Sequence, residues 1–323
     1  MRAVQISAPG HPPVMAERTM PTPRPHETLV EVLAAPITPL DLLCASGTSY
    51  FGVPKTPYVP GVQGVGTVGG RMVWFPTSAG MAPGDGSMAE IASVPLADLV
   101  ELPAGADPVG LAALGLSAVA AHLALTWRGE LAPGEQVVVL GAGGVVGQAA
   151  VQLARIAGAR RVVAAARSAA GRERARRAGA DAVVTLDTED VTELAVRLTA
   201  ALDGPADLVL DPLFGAPAAA AARTLRSGGR LVHLGGSASE TCPLDSATLR
   251  GKSLRLLGYT NNELSPGQRT AALTLVAEQA ALGRLAVDHE SVPLDDAGAA
   301  WRRQAAGTTL GRIVLTTTGL IGQ

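Results

Sequence analysis

The first residues that point to chemistry are four glycines that separate an apolar run from an amphipathic run. Glycine permits a tight turn and lets the backbone approach a ligand closely, and the N–H groups that start the following helix attract anions. The spacing therefore predicts a turn that binds the pyrophosphate of a dinucleotide. A tight turn that binds nothing would use similar glycines, but the strand before it, the helix after it and the next strand favour binding. The predicted contacts are Gly141, Gly143, Gly144, Val145, Val146 and Gly147.

A second group of residues stands where such folds distinguish one dinucleotide from another. An Asp or Glu near the end of the second strand accepts hydrogen bonds from the adenosine ribose, whereas a guanidinium can pair with a 2′-phosphate through two hydrogen bonds. Here Ala166 takes the place of the acid and is followed by Arg167, Ser168 and Arg172. These residues predict NADPH as the cofactor. The arginines that we assign instead to the solvated face of the next helix are Arg174, Arg176 and Arg177.

The elements that must position these residues alternate regularly through the middle of the chain. Val-rich strands are predicted at 136–140, 161–166, 182–185, 207–210, 230–234 and 253–259. Helices are predicted at 144–157, 169–178, 191–202 and 216–225. Strands that read as unbroken apolar runs are covered on both faces, and the alternation of strands with helices builds a parallel sheet.

The two ends of the chain have a different texture. The N-terminal part combines Pro and Gly with short apolar runs such as 27–37 and 64–75, which is typical of a small β unit with irregular loops. A long helix is predicted at 268–282, and the closing segment 311–319 returns to the β pattern. We therefore expect an α/β protein whose sheet domain is inserted within, or flanked by, the two parts of the first domain.

Composition narrows the class of partner. The chain has 323 residues and a formal net charge of −2, so no overall field favours nucleic acid or an anionic membrane surface. The stretch 109–127 is as long as a membrane span, but its Ala, Gly, Ser and His content favours a buried helix. Cys44 and Cys242 form no CxxC pair, and the N-terminus carries no signal pattern, which together predict a reducing, cytoplasmic setting.

Taken together, these features resemble the zinc-less quinone oxidoreductase (zeta-crystallin-like) branch of the medium-chain dehydrogenase/reductase superfamily. The segments that carry the resemblance are LPAGADPVGLAALGLSAVAAHLAL, LAPGEQVVVLGAGGVVGQAAVQLARIAGA, ADLVLDPLFGAPAAAAARTLRSGGRLVHLGG, LRGKSLRLLGYTN and GRIVL. The resemblance implies a GroES-like β domain, residues 1–117 and 262–323, split around a Rossmann domain that binds NADPH, residues 118–261. It also implies a homodimer formed through the sixth Rossmann strand, residues 254–259.

The resemblance also indicates that the protein works without zinc. Zinc-containing relatives carry a Cys followed shortly by an Asp, and further on a Gly-His-Glu. Here the first place holds Thr38 and Asp41, and Gln63 stands where the acid of the second would lie. A catalytic zinc needs three N, S or O ligands held together, whereas the histidines and cysteines of this chain are scattered. His122 and His233 are predicted to be packed, satisfied side chains.

Without a metal, hydrogen-bond donors must polarise the acceptor while hydride leaves C4 of the nicotinamide. The resemblance points to Thr38, Tyr50 and Ser117 as these donors. Each has a structural alternative, because Thr38 could cap the helix that starts near Leu40, Tyr50 could be a surface-loop aromatic, and Ser117 could bond back to its own helix. Asp41 is expected to cap or orient locally. Further cofactor contacts are expected at Leu234, Gly235 and Asn261, the last with a turn residue as its alternative.

The predicted function is NADPH-dependent reduction of a small-molecule substrate, either a quinone or an activated C=C bond of an enone or enoyl group. The chain contains few aromatic residues to stack on a flat quinone, among them Tyr50, Phe51 and Trp74, which makes an enone or enoyl substrate a serious competitor. Two other interpretations remain open. One is a zinc-less carbonyl reductase or alcohol dehydrogenase on the same fold, and the other is a non-catalytic NADPH-binding protein.

Overall fold

The structure is a computed structural model that describes residues 1–309 and 311–317. The described chain separates into two compact units, each with its own apolar core. The first unit contains Met1–Gly115, Pro266–Gly283 and the described residues from Val287 onward, and the second contains Leu116–Ser265 and Arg284–Ala286. The second unit is thus inserted between parts of the first, as expected. The domain boundaries after residues 117 and 261 stay predictions.

The first unit is built mainly from antiparallel pairs of strands. Its strands are β1 (Arg2–Gln5), β2 (Val14–Glu17), β3 (Glu27–Pro36), β4 (Gln63–Val68), β5 (Arg71–Pro76), β6 (Ile91–Pro95), β7 (Val100–Glu101), β14 (His289–Pro293) and β15 (Arg312–Thr316). The larger sheet runs in the order β14-β15-β3-β4-β5-β7, with β6 also paired to β3, while β1 pairs with β2. Gly69 and Gly70 join β4 to β5, and both have the positive φ that a two-residue hairpin turn requires.

The first unit also contains helices. They are α1 (Pro39–Ser46), α8 (Pro266–Ala281) and α9 (Ala297–Ala305), and α2 (Pro108–Leu123) begins in this unit and continues into the second. The core of the unit includes large apolar side chains from several elements, among them Ile6, Ile37, Phe75, Met88 and Trp301.

The second unit is a parallel sheet with helices between its strands. Its strands are β8 (Gln136–Val139), β9 (Arg161–Ala166), β10 (Ala182–Thr185), β11 (Ala206–Asp211), β12 (Leu225–His233) and β13 (Arg255–Gly258). Its helices are α3 (Val145–Ile156), α4 (Ala169–Arg177), α5 (Val191–Ala201), α6 (Gly215–Thr224) and α7 (Ser246–Gly251). The order is β10-β9-β8-β11-β12-β13 with every pair parallel, which is the Rossmann arrangement and confirms the predicted fold class.

Three parts of the element prediction are corrected by the structure. Strand β13 is shorter than the predicted 253–259, and the short helix α7 before it was not predicted. The C-terminal part holds β14 and α9 between the long helix and the last strand, where the sequence pattern predicted neither. The closing segment forms β15, and its residues after 317 lie outside the described part of the chain.

The apolar stretch 109–127 is not one regular helix. Gly115 breaks α2 with φ 30° and ψ −131°, and only glycine fits there, since a Cβ at this position would lie 2.1 Å from Oε1 of Gln63. The chain then continues after α2 into a π-helical turn over Ala124–Arg128. Among the described residues, Pro108–Arg128 is the one helical stretch that by length and composition could cross a membrane, and 67% of its most apolar window is buried.

Candidate functional site

The glycine-rich turn lies between β8 and α3, at the carboxyl end of the parallel sheet. Gly141 has φ 62°, a conformation that residues with a side chain rarely adopt. A Cβ on Gly147 would lie 2.4 Å from Cα of Ala142, and a Cβ on Gly143 would lie 2.6 Å from Cα of Gly171 in α4. These three glycines are therefore required by the packing of the turn itself.

Gly144 is different, because the fold does not need a glycine there. It is the exposed N-cap of α3, with φ −83° and no side-chain cap, and a Cβ on it would meet only the Gly141 carbonyl oxygen, at 3.5 Å. The first-turn N–H groups, which include those of Val145 and Val146, have no acceptor within the helix. An open space in front of uncapped N–H groups fits a pyrophosphate.

Two guanidinium groups stand at the end of β9. Arg167 and Ser168 are exposed, and Ser168 caps α4 by accepting the N–H of Gly171 at 3.0 Å. Nη1 of Arg172 donates to the carbonyl oxygen of Arg167 at 2.7 Å. Within residues 1–309 and 311–317, the Arg167 side chain makes no hydrogen bond or ion pair. A cation is thus left available where an acid would bind a ribose.

The prediction that Arg174 belongs to a solvated helix face is wrong. Its Nε donates to the Gly143 carbonyl oxygen at 2.9 Å, and Nε2 of Gln148 donates to the same oxygen at 3.3 Å. The glycine-rich turn is therefore braced by side chains from α4 and α3. Gly171, which touches the turn, lies three residues before Arg174 on the same helix face, and that spacing could have revealed the contact. Arg176 agrees with the prediction, since it is exposed and pairs with Glu173.

The remaining predicted cofactor residues follow β12 and β13. Leu234 and Gly235 come directly after β12, and the Leu234 N–H donates to the Asp211 carbonyl oxygen at 2.9 Å. Asn261 is engaged within its own unit, where its side chain accepts the Tyr259 hydroxyl at 2.8 Å and donates to the Leu116 carbonyl at 3.2 Å. These contacts favour a structural role for Asn261, and cofactor contact stays a prediction.

Thr38 and Asp41 hold the start of α1 through reciprocal hydrogen bonds. Thr38 Oγ1 accepts the Asp41 N–H at 3.2 Å, while the Thr38 N–H and hydroxyl donate to Oδ2 of Asp41 at 2.8 and 2.6 Å. Oδ1 of Asp41 accepts the N–H groups of Gly61 and Val62 at 3.1 and 2.9 Å. Thr38 is thus a helix cap and Asp41 a local organiser. Because a hydroxyl has one proton, donation from Thr38 to a substrate would require its bond to Asp41 to open.

A buried arginine faces this cluster. Arg312 in β15 is 4% exposed, and its Nη1 donates to the Ile37 carbonyl at 2.9 Å. Burial lowers the pKa of Arg312 to about 10, although the charge of Asp41 acts in the opposite direction. Burial also raises the pKa of the Asp41 carboxyl. No sequence signal pointed to Arg312, because arginine is usually exposed.

The other two predicted donors lie in different surroundings. Tyr50 follows α1 in a loop, is 76% exposed and packs its ring 4.2 Å from that of Phe51. Ser117 lies in the second unit, partly buried, two residues after the break at Gly115. Thr38 and Tyr50 belong to the first unit and lie beyond opposite ends of α1. Their contacts with a substrate stay predictions.

The residues at the zinc-ligand positions do not fit a metal ion. Both carboxyl oxygens of Asp41 already accept N–H or O–H groups, and Gln63 accepts Nε1 of Trp74 at 3.1 Å while donating to the Ala112 carbonyl at 3.4 Å. Across the described residues, no three His, Cys, Asp or Glu side chains are grouped so as to hold an ion.

Several known proteins are similar to this chain in sequence and in fold. The family described as zinc-binding dehydrogenase matches residues 145–278. A quinone oxidoreductase from Lama guanicoe is 30% identical over 285 residues, which are 84% of this chain and 84% of that one. The chain belongs to the medium-chain dehydrogenase/reductase superfamily. A crystal structure of a quinone oxidoreductase from Thermus thermophilus is 30% identical, with a TM-score of 0.80 over 98% of this chain and 100% of that one.

This medium-chain dehydrogenase/reductase combines a GroES-like β unit with the Rossmann unit inserted in it, and it is an oxidoreductase that is similar to quinone oxidoreductases. It also resembles part of a much longer polyketide synthase chain. A phenolphthiocerol/phthiocerol polyketide synthase of Mycobacterium tuberculosis is 30% identical over 334 residues, which are 97% of this chain and 15% of that one.

One polar pair of this medium-chain dehydrogenase/reductase was not predicted. His233 was expected to be a satisfied side chain inside a strand, but it ends β12, is partly exposed and pairs with Asp211. Asp211 ends β11 and is fully buried. The signal that could have revealed the pair is positional, because each residue lies within one position of the carboxyl end of its predicted strand, 207–210 or 230–234, and the two strands are adjacent in a parallel sheet.

Proposed function

We propose that the protein is an NADPH-dependent oxidoreductase that transfers hydride, without zinc, to a quinone or to an activated C=C bond of an enone or enoyl substrate. The observation that carries the proposal is the available guanidinium of Arg167, with Arg172 beside it, where a carboxylate would favour NADH. The T. thermophilus quinone oxidoreductase has been crystallised in complex with NADPH, which supports the same cofactor here.

Each part of the cofactor has a residue group suited to it. Gly144 and the first turn of α3 would hold the pyrophosphate, and Gly141, Gly143 and Gly147 shape the turn. Arg167 and Arg172 would pair with the 2′-phosphate through charge-assisted hydrogen bonds. Leu234, Gly235 and Asn261 would border the nicotinamide half, since they follow the strands of the second half of the sheet.

Bound NADPH supplies the hydride from C4 of its nicotinamide. The task of the chain is to stabilise the negative charge that develops on the acceptor, and preorganised hydroxyl donors do this well. We assign this role to Thr38, Tyr50 and Ser117. The Thr38 hydroxyl donates its one proton to Oδ2 of Asp41 in this structure, so Thr38 fills this role only when a substrate oxygen replaces Asp41 as the acceptor.

The substrate class follows from the relatives and from the composition. Several relatives are quinone oxidoreductases, which favours a quinone. The scarcity of aromatic residues favours an activated C=C bond as the alternative within the same reaction type.

We also propose a cytoplasmic homodimer that pairs through β13. This strand ends the order of its sheet, so its outer edge is open for pairing with a second copy. Leu256 in β13 is 45% exposed, an apolar group that such pairing would cover. Cys44 and Cys242 are both free thiols, which is usual in a reducing compartment.

The experiment is an assay of NADPH oxidation by the purified protein against a panel of quinones, enones and aldehydes. Turnover of quinones or enones is the expected result. Turnover restricted to aldehydes would indicate a carbonyl reductase instead. Tight NADPH binding with no turnover of any substrate would contradict the proposal and leave a binding protein.

A further inference from the structure

Asp211 and His233 form a fixed pair at the carboxyl edge of the Rossmann sheet. They are directly opposite each other in the parallel ladder of β11 and β12. Nδ1 of His233 lies 3.0 Å from Oδ2 of Asp211, and Oδ1 of Asp211 accepts the N–H groups of Leu213 and Phe214, each at 2.9 Å. The carboxylate is therefore held by backbone donors on one oxygen and presents its other oxygen to the imidazole.

This pairing leaves one ring nitrogen of His233 available. Because Nδ1 donates to the carboxylate, Nε2 of the neutral ring is a hydrogen-bond acceptor. The ring of Phe214 packs 4.3 Å from the imidazole, and 33% of the His233 side chain is exposed. In the part of the chain that the structure describes, Nε2 has no hydrogen-bond partner. Asp211 and Phe214 thus hold the His233 imidazole in one orientation, and its Nε2 is left to accept a hydrogen bond.

The loop that supports the pair is strained and touches the glycine-rich turn. Phe214 has φ 62° and ψ −159°, a region that residues with a side chain rarely occupy and that strong surrounding contacts must enforce. A Cβ on Gly141 would lie 3.0 Å from Cδ2 of Leu213 and 3.1 Å from Cγ of Pro212. The loop after β11 therefore lies against the turn to which we assign the pyrophosphate.

The strand order decides which half of a dinucleotide the pair would meet. A dinucleotide crosses the crevice between β8 and β11, with one mononucleotide over each half of the sheet. Arg167 follows β9, so the adenosine half belongs to β8, β9 and β10. His233 and Asp211 end strands of the opposite half, where the nicotinamide mononucleotide lies.

We infer that His233 binds the nicotinamide half of the cofactor, with its Nε2 accepting a hydrogen bond from a hydroxyl or amide N–H of that half. Asp211 fixes the tautomer that makes Nε2 an acceptor. This inference rests on the proposed function, since it requires that the protein binds NADPH.

The test compares NADPH with adenosine 2′,5′-bisphosphate, which has the phosphorylated adenosine but lacks the nicotinamide half. The variant His233→Phe keeps a ring against Phe214 and removes both nitrogens. We expect its dissociation constant for NADPH to rise about three- to tenfold, the effect of one hydrogen bond, while the constant for the bisphosphate stays within about twofold. Arg167→Ala is the matched control and should weaken both ligands.

A second measurement does not depend on how well that variant folds. In ¹⁵N spectra of the wild-type imidazoles, NADPH should shift the His233 Nε2 resonance and the bisphosphate should leave it in place. Asp211→Asn keeps an oxygen for the two backbone N–H groups but places an amide N–H against Nδ1, so the proton should move to Nε2 and NADPH should bind more weakly.

Three outcomes would overturn the inference. The Nε2 resonance could remain unmoved by NADPH, the His233→Phe variant could bind NADPH like the wild type, or it could lose both ligands equally because His233 only supports the fold. Failure of the wild type to bind either ligand would be a different result, because it would refute the proposed function as well.

Discussion

Nη1 of Arg172 donates to the backbone carbonyl oxygen of Arg167 at 2.7 Å, which fixes the Arg172 guanidinium at the end of β9, where the exposed Arg167 begins the next loop. The guanidinium of Arg174 turns the other way and donates to the Gly143 carbonyl. Three arginines within a short segment therefore have separable tasks. The Arg167 side chain is available for a ligand, Arg172 holds the Arg167 carbonyl oxygen, and Arg174 holds the glycine-rich turn. Replacing each arginine should therefore change cofactor binding in a different way.

The hydrogen bond from Arg174 to the Gly143 carbonyl should support cofactor binding whether or not the cofactor carries a 2′-phosphate. Replacing Arg174 with Ala removes a charge-assisted hydrogen bond to the Gly143 carbonyl, which should lower the free energy of unfolding by about 1–2 kcal/mol. It should weaken NADPH and NADH by a similar factor, because the turn serves the pyrophosphate that both cofactors share. Chemical denaturation and titration with both cofactors check this. A selective loss of NADPH would contradict it and would place Arg174 with Arg167.

Two glycines of the turn should respond differently to replacement by alanine, one mainly in protein stability and the other mainly in NADPH binding. Gly147→Ala puts a Cβ 2.4 Å from Cα of Ala142, so it should lower the free energy of unfolding by about 1–3 kcal/mol. Gly144→Ala meets no atom closer than 3.5 Å, so it should cost no more than the roughly 0.5–1 kcal/mol by which alanine is a poorer N-cap than glycine, while weakening NADPH about tenfold or more. Thermal unfolding and cofactor titration of the pair separate packing from binding. Normal NADPH binding by Gly144→Ala would refute the pyrophosphate assignment.

Replacing Thr38 should change protein stability and, separately, the rate of turnover. Thr38→Val removes the cap of α1 and should lower the free energy of unfolding by about 1–2 kcal/mol, whereas Thr38→Ser should preserve it. If the hydroxyl also polarises the substrate, Thr38→Val should lower kcat about a hundredfold. Thr48→Val, at an exposed position beyond the other end of α1, is the control for losing a threonine hydroxyl. Loss of stability without loss of kcat would leave Thr38 as a cap only.

Because His122 is partly buried, we expect the protein to lose stability as the pH falls below neutral. Burial lowers the pKa of His122 below its ordinary value of about 6.5, so the folded protein prefers the neutral ring and the unfolded chain binds the proton more readily. The stability is therefore complete above about pH 6.5 and declines as the pH falls through that value. Denaturation curves between about pH 8 and 5 should show a shallower decline for His122→Gln, with His11→Gln at an exposed site as the control. Parallel pH curves for the wild type and His122→Gln would contradict the assignment.

The sheet was predictable where the sequence pattern is long and unbroken. Strands β9 and β10 occupy the residues expected from their apolar runs, and in β9 burial on both faces leaves little choice of side chain. Helix α7 was missed because its few residues cannot show a helical period. Its start depends on the Asp245 side chain, which accepts the Thr248 N–H at 2.7 Å.

The glycine-rich part of the site was predicted because the backbone dictates the residue type there, whereas the contacts that form between distant parts of the chain were missed. The glycines of the turn are read directly from their spacing. The partners of Arg174 and His233, by contrast, lie 31 and 22 residues away along the chain, and only the strand order brings them together. Arg312 is still further from Asp41 in sequence, and no local pattern joins the two.

The most direct measurement of the central claim is a pair of dissociation constants, for NADPH and NADH, determined by titration calorimetry on the wild type and on Arg167→Ala. Arg176→Ala is the control, since Arg176 is an exposed arginine of the same region that pairs with Glu173. The account predicts that the wild type binds NADPH at least about tenfold more tightly than NADH, that Arg167→Ala loses most of this preference, and that Arg176→Ala keeps it. Equal affinity of the wild type for the two cofactors, or an unchanged preference in Arg167→Ala, would contradict it.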